Sequence, residues 1–122
     1  MSNLGQGILF LEEDAEKITR AKHLWPACVV ATTAPRCREL LASRSWTTLV
    51  IGEYPDEGNT VNAKDYGMGI VNDICLTMPR ISEVVISSLN APVAAQMQRE
   101  LVKAGYATHL ARFGESPIWK TK

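Results

Sequence analysis

The chain has 122 residues, of which 46% are apolar and 21% charged, with 13 lysines and arginines against 13 aspartates and glutamates. That balance supplies no basic patch for nucleic acid or an anionic membrane surface, and no apolar run approaches the roughly 18 residues that cross a bilayer. A domain of this length buries enough surface to fold without disulfides or metal, and Cys28, Cys37 and Cys75 form no C-x-x-C pair, so each reads as a small buried hydrophobe.

The segment Met1 to Gly7 carries no basic region ahead of the apolar Ile8-Leu9-Phe10-Leu11, so no signal peptide is expected and the expected compartment is the cytoplasm. That apolar run has the length of a strand buried on both faces. It stops at Glu12-Glu13-Asp14, and Asp14 can cap a helix over about 15–25 with an apolar stripe of Ile18, Ala21, Leu24 and Trp25. Pro26 ends it. Cys28 to Ala31 reads as a second strand. Thr32 or Thr33 can cap the next helix, about 34–44, with Pro35 in its first turn and Cys37, Leu40 and Leu41 facing inward. Thr47 to Ile51 is a third strand, β-branched and apolar, and it also ends near an acid, Glu53.

A loop rich in turn formers runs from Tyr54 to about Lys64. A helix follows over about 65–77, with Tyr66, Ile70, Ile74 and Met78 spaced four apart; Gly67 and Gly69 weaken its start and Pro79 closes it. Val84 to Ser88 is the fourth strand. Asn90 and Pro92 suit the cap and first turn of a helix over about 91–104, whose stripe is Val93, Met97, Leu101 and Ala104, and Gly105 is a natural stop. Tyr106 to Phe113 alternates as a fifth strand before a short tail.

Short buried strands alternating with amphipathic helices imply an α/β fold. The expected architecture is a doubly wound, five-stranded parallel sheet of flavodoxin-like, receiver type, in the order 2-1-3-4-5. It forms a single domain with its core at about residues 7–114. No G-x-G-x-x-G follows the first strand, which argues against a dinucleotide-binding fold.

In such sheets ligands bind beyond the carboxyl ends of the strands, near the switch in strand order. The first strand delivers Glu12, Glu13 and Asp14 there. The third delivers Glu53, with Tyr54 and Asp56 beyond it. The fourth delivers Ser87, Ser88 and Asn90, and the fifth His109 or Arg112. Strands one and three are neighbours in this order, so Glu12, Glu13 and Glu53 are expected to converge. Crowded carboxylates repel unless a proton or cation intervenes, and an oxygen-rich cluster suits magnesium. The hydroxyls of Ser87 and Ser88, the amide of Asn90 and the N–H groups of the following helix can hold a phosphate. The same residues also read as helix caps and solvated loop acids, which the helix dipole favours. His23 falls on the polar side of its helix, and neither it nor His109 has metal-ligand spacing.

The opening Ile-Leu-Phe-Leu-Glu-Glu-Asp resembles the first strand of response-regulator receiver domains, where an acidic pair holds magnesium. By that resemblance Glu53 stands at the phospho-accepting aspartate, Ser87 or Ser88 at the hydroxyl position, and Arg112 near the usual lysine. Glu12-Glu13, Asp65-Tyr66-Gly67 and Ser88-Leu89-Asn90-Ala91-Pro92 are also similar in order and spacing to the cyclic-phosphate-processing receiver domains. The resemblance spans about residues 7 to 114, and its Ser-x-Asn-x-Pro segment is the most specific part. It implies a metal set of Glu12, Glu13 and Glu53. It also implies a ligand set of Ser87, Ser88, Asn90 and Arg112, with Glu53, Ser88 and Asn90 as the catalytic residues wherever chemistry survives. Glutamate replaces aspartate at the acceptor, and Tyr54 and Ser87 stand where those domains carry histidines.

The expectation is therefore a degenerate, stand-alone receiver-like domain, a pseudo-receiver without an attached output domain. It would act by binding a protein partner or a phosphate-bearing or nucleotide ligand at the strand ends. The alternative is a magnesium-dependent phosphoesterase or cyclic-phosphate hydrolase.

Overall fold

A computed structural model describes residues 6–12, 14–52, 67–87 and 91–110. They form the strands β1 (Ile8–Leu11), β2 (Val29–Ala31), β3 (Trp46–Ile51), β4 (Ile81–Ile86) and β5 (Ala107–Leu110). The helices are α1 (Ala15–Leu24), α2 (Ala34–Ser43), α3 (Gly67–Thr77) and α4 (Ala91–Lys103). All strand pairs are parallel, and the sheet order is β2-β1-β3-β4-β5. This is the flavodoxin-like α/β arrangement expected from the alternation of short apolar runs and amphipathic helices. Among the described residues no helix is long and apolar enough to cross a membrane.

The helix ends follow from local chemistry. The Asp14 side chain accepts the Glu16 N–H at 3.3 Å and opens α1. Thr33, not Thr32, opens α2, accepting the Arg36 N–H at 3.3 Å with Pro35 in the first turn. At the end of α4, Gly105 takes a φ of 102°, a region that costs a residue with a Cβ. The Gly105 and Tyr106 N–H groups then donate to Val102 and Leu101 carbonyls, both at 3.0 Å, closing the last turn. α3 ends on a different device. Met78, at φ 51°, donates its N–H to the Ile74 carbonyl at 2.8 Å, and Pro79 follows.

The start of β4 and the inward stripe of α3 differ from expectation. β4 begins at Ile81 rather than Val84. Its early part hides behind the polar pair Ser82-Glu83, of which Ser82 is exposed and Glu83 has cross-strand partners: Thr48 Oγ1 donates to Glu83 Oε2 at 3.1 Å, and His109 Nε2 lies 3.3 Å from Glu83 Oε1. In α3 the inward stripe is Ile70, Val71 and Ile74, while Met78, expected on that stripe, is half exposed beyond the helix end. Burial of those three side chains holds a helix that two glycines would otherwise weaken.

The register divides the sheet into two faces. Leu9, Leu49 and Val84 stand in one row and Leu11, Ile51 and Ile86 in the next. Both rows pack beneath α2, α3 and α4 in the larger core, with Cys37, Leu41, Ile70, Ile74, Met97 and Leu101. The opposite face carries Phe10, Val50 and Val85 in a row, packed with Ala21 and Trp25 at α1 and with Cys28. Cys28, Cys37 and Cys75 are free thiols, and burial pushes all three above the ordinary thiol range, Cys37 up to about 12.

Candidate ligand site at the strand ends

The parallel ladder runs one residue beyond the central strands. Leu11 is in register with Ile51, and Ile51 with Ile86. The Glu12 N–H donates to the Ala31 carbonyl at 3.0 Å, the Gly52 N–H to Leu11 at 2.8 Å and the Ser87 N–H to Ile51 at 2.8 Å. Glu12, Gly52 and Ser87 therefore form the next row, at the carboxyl edge, on the face of Phe10, Val50 and Val85. Strand order reverses between β1 and β3, so this row crosses the switch point at which such sheets bind ligands.

The row is closely packed. Glu12 is 2% exposed and Ser87 4%. One oxygen of the Glu12 carboxylate, Oε2, accepts the Asp14 N–H at 3.0 Å. The other, Oε1, lies over the Gly52 α-carbon: a Cβ placed there would overlap Oε1 and come within 2.8 Å of the Leu11 carbonyl oxygen. Glutamate has the reach for this posture because its extra methylene carries the carboxylate across from β1 to β3. Ser87 stands one strand further on, about 4.8 Å away at the usual strand spacing. A buried carboxylate is costly unless hydrogen-bonded, and the Asp14 N–H at the mouth of α1 supplies one such bond.

The structure thus brings Glu12 and Ser87 to one edge, flanking Gly52. Glu13, Glu53, Ser88, Asn90 and Arg112 lie outside the described residues, as do Tyr54 and Asp56. Glu12 fits a magnesium ion as a single oxygen donor, and with the carboxylate covered it would reach a hydrated ion only by swinging off Gly52. Among the described residues no three His, Cys, Asp or Glu side chains gather into a metal-sized cluster. His109 does not join the strand-end row. It is in register with Val85, one row further in, and approaches Glu83, so it belongs to a polar patch on the sheet face. His23 is exposed, as its helical position implied.

Gly52 is the residue that sequence reasoning missed. Its signal was a glycine directly after a β-branched run, at the point where a backbone or side chain must approach closely. Comparison of the chain with protein-family models, curated proteins and solved structures finds no match in any of the three.

Proposed function

We propose that this chain is a receiver-like binding module that engages a phosphate-bearing or nucleotide ligand, or a protein partner, at the carboxyl ends of its strands, without turnover. The observation that carries this reading is the row of Glu12, Gly52 and Ser87 at the switch point of a 2-1-3-4-5 sheet. Ser87 offers a hydroxyl, and α4 begins four residues later, so its N-terminal N–H groups are the natural donors for a phosphate oxygen.

Binding is favoured over catalysis by what the acidic and hydroxyl groups are doing. The Glu12 carboxylate is packed over Gly52 and holds the Asp14 N–H, which is the work of a structural acid. Ser87 stands where the similar domains carry a histidine, and a positioned acid or base contributes roughly a hundredfold to ten-thousandfold in rate. Glu53, in place of the acceptor aspartate, does not form the usual aspartyl phosphate. The magnesium-dependent hydrolase remains the competing reading and makes the opposite forecast for turnover.

The test is a thermal-shift screen of the whole chain against cyclic nucleotides, linear nucleotides and cyclic phosphates, with and without magnesium. A ligand of the folded state raises the melting temperature, and Ser87→Ala should reduce that rise. No hydrolysis of 2′,3′-cyclic or 3′,5′-cyclic nucleotides is expected, nor phosphorylation by acetyl phosphate. Turnover that disappears in Glu53→Gln would replace this reading with the hydrolase. Binding that Ser87→Ala leaves intact would place the ligand elsewhere.

A further inference from the structure

The opposite end of the sheet, where the strands begin, carries a second hollow. It lies where α2 and α3 end and has a volume of about 480 Å³; Arg38, Arg44 and Arg80 line it together with Asp73. It continues into a smaller hollow of about 360 Å³ that shares Ser45, Met78, Pro79 and Arg80 with it. Volumes of about 300–1,000 Å³ are those of small-molecule sites.

The charge of this hollow is local, since the chain as a whole has a formal charge of zero. Three arginines and one aspartate line the hollow, a formal excess of two positive charges. The C-termini of α2 and α3 oppose it with about half a negative charge each, so the excess stays positive. Elsewhere on α2, Arg36 is engaged by Glu39 at 2.9 Å. Arg38, Arg44 and Arg80 form no ion pair among the described residues. Arg44 is also held in place. Its guanidinium carbon sits 4.0 Å from the centroid of the Trp46 ring, and the Trp46 Nε1–H donates to the Leu40 carbonyl at 2.9 Å. Stacking leaves the edge of the planar fork free to donate, the geometry that suits bidentate contact with phosphate or carboxylate.

We propose that this hollow binds a small polyanion, a ligand carrying a phosphate group or several carboxylates. The inference is independent of the strand-end reading, because the two places lie at opposite ends of the same strands and share no residue.

The experiment titrates the whole chain with inorganic phosphate, pyrophosphate and citrate at constant ionic strength, following the tryptophan indole N–H signals by ¹⁵N–¹H NMR. Trp46→Phe assigns the Trp46 signal. The expected result is a saturable shift of the Trp46 indole and none of the Trp25 indole. Arg38→Gln and Arg80→Gln should each weaken binding by about tenfold or more, as loss of a charged hydrogen bond does. Arg99→Gln on α4 and Ser87→Ala at the far end should leave it unchanged. Tighter binding of pyrophosphate than citrate assigns the ligand to phosphate compounds, and the reverse order assigns it to polycarboxylates. A shift that stays linear to tens of millimolar, or saturable binding that survives both Arg38→Gln and Arg80→Gln, would overturn the proposal. The three arginines are on the surface or half-buried, so these substitutions leave the core intact.

Discussion

The two faces of the sheet are built from the same strands and do different work. Leu49 and Val50 are adjacent in β3, and each is fully buried, yet they belong to different cores. Leu49 looks toward α2, α3 and α4, into an interior whose middle rows are wholly apolar. Val50 looks toward α1, on a face whose flanking rows are polar: Thr48 and Glu83 on one side, Glu12 and Ser87 on the other. Period-two alternation sends successive residues to opposite sides, so one strand can serve a stabilising core and the candidate ligand edge at once. The contrast teaches that stability is concentrated on the three-helix face, while the α1 face is where polar groups are held in fixed positions.

The largest expected effect tests the first half of that statement. Leu49→Ala removes a side chain with no exposure from the larger core and should destabilise by about 2–5 kcal/mol, measured by urea unfolding. A cost below the lower figure would mean that this face relaxes more readily than its packing implies.

The thiols sharpen the comparison. Cys37 faces the larger core, and burial pushes its pKa up to about 12 from the ordinary 9.0; Cys28, in the smaller core, is also raised by burial, with Lys22 acting against the rise. The folded state holds the Cys37 proton more tightly than the unfolded chain does. Its contribution to stability is therefore fully present below pH 9 and is lost as pH rises from 9 to about 12, at up to ~1.4 kcal/mol per pH unit. Cys37→Ala should flatten the alkaline arm of the stability–pH curve. Thiol reagents should modify Cys28 before Cys37, read by mass spectrometry of partly labelled protein.

Gly52→Ala probes the strand-end row. The new methyl would occupy the place of Glu12 Oε1, forcing the buried carboxylate to move, and overpacking of this kind costs about 1–3 kcal/mol. Ligand binding at the strand ends should change with it. A neutral Gly52→Ala would break the description of Glu12 as an acid seated over β3. The smallest effect belongs to the polar patch. Thr48→Val keeps the shape and removes the bond to Glu83, for a loss of about 0.5–1.5 kcal/mol by chemical denaturation.

Much of this was legible in the residues. The strand Ile8–Leu11 and the helix stripes at Ala21, Cys37, Leu41, Met97 and Leu101 follow from periodicity alone, and the caps at Asp14, Thr33 and Gly105 follow from side-chain and backbone chemistry. Less visible was the first half of β4, because the polar pair Ser82-Glu83 looks like a loop until Thr48 and His109 are set beside it. The candidate site was legible only as a place. Acids and hydroxyls after strand ends pointed to Glu12 and Ser87, but nothing local said that Glu12 would turn inward or that Gly52 would make room for it.

The sequence by itself determined the alternation of elements, and with it the parallel sheet and its order, because short buried strands joined by amphipathic helices have few ways to pack. Tertiary structure alone decided which residues share a row, and so which groups meet. It seated the Glu12 carboxylate over Gly52, moved His109 from the strand end to Glu83, and brought Arg80 to the hollow beside Arg38 and Arg44, which lie on and at the end of a helix far earlier in the chain. The physical reason is that hydrophobic periodicity is a local property of the chain, whereas the approach of two polar side chains depends on the register of strands that lie many residues apart.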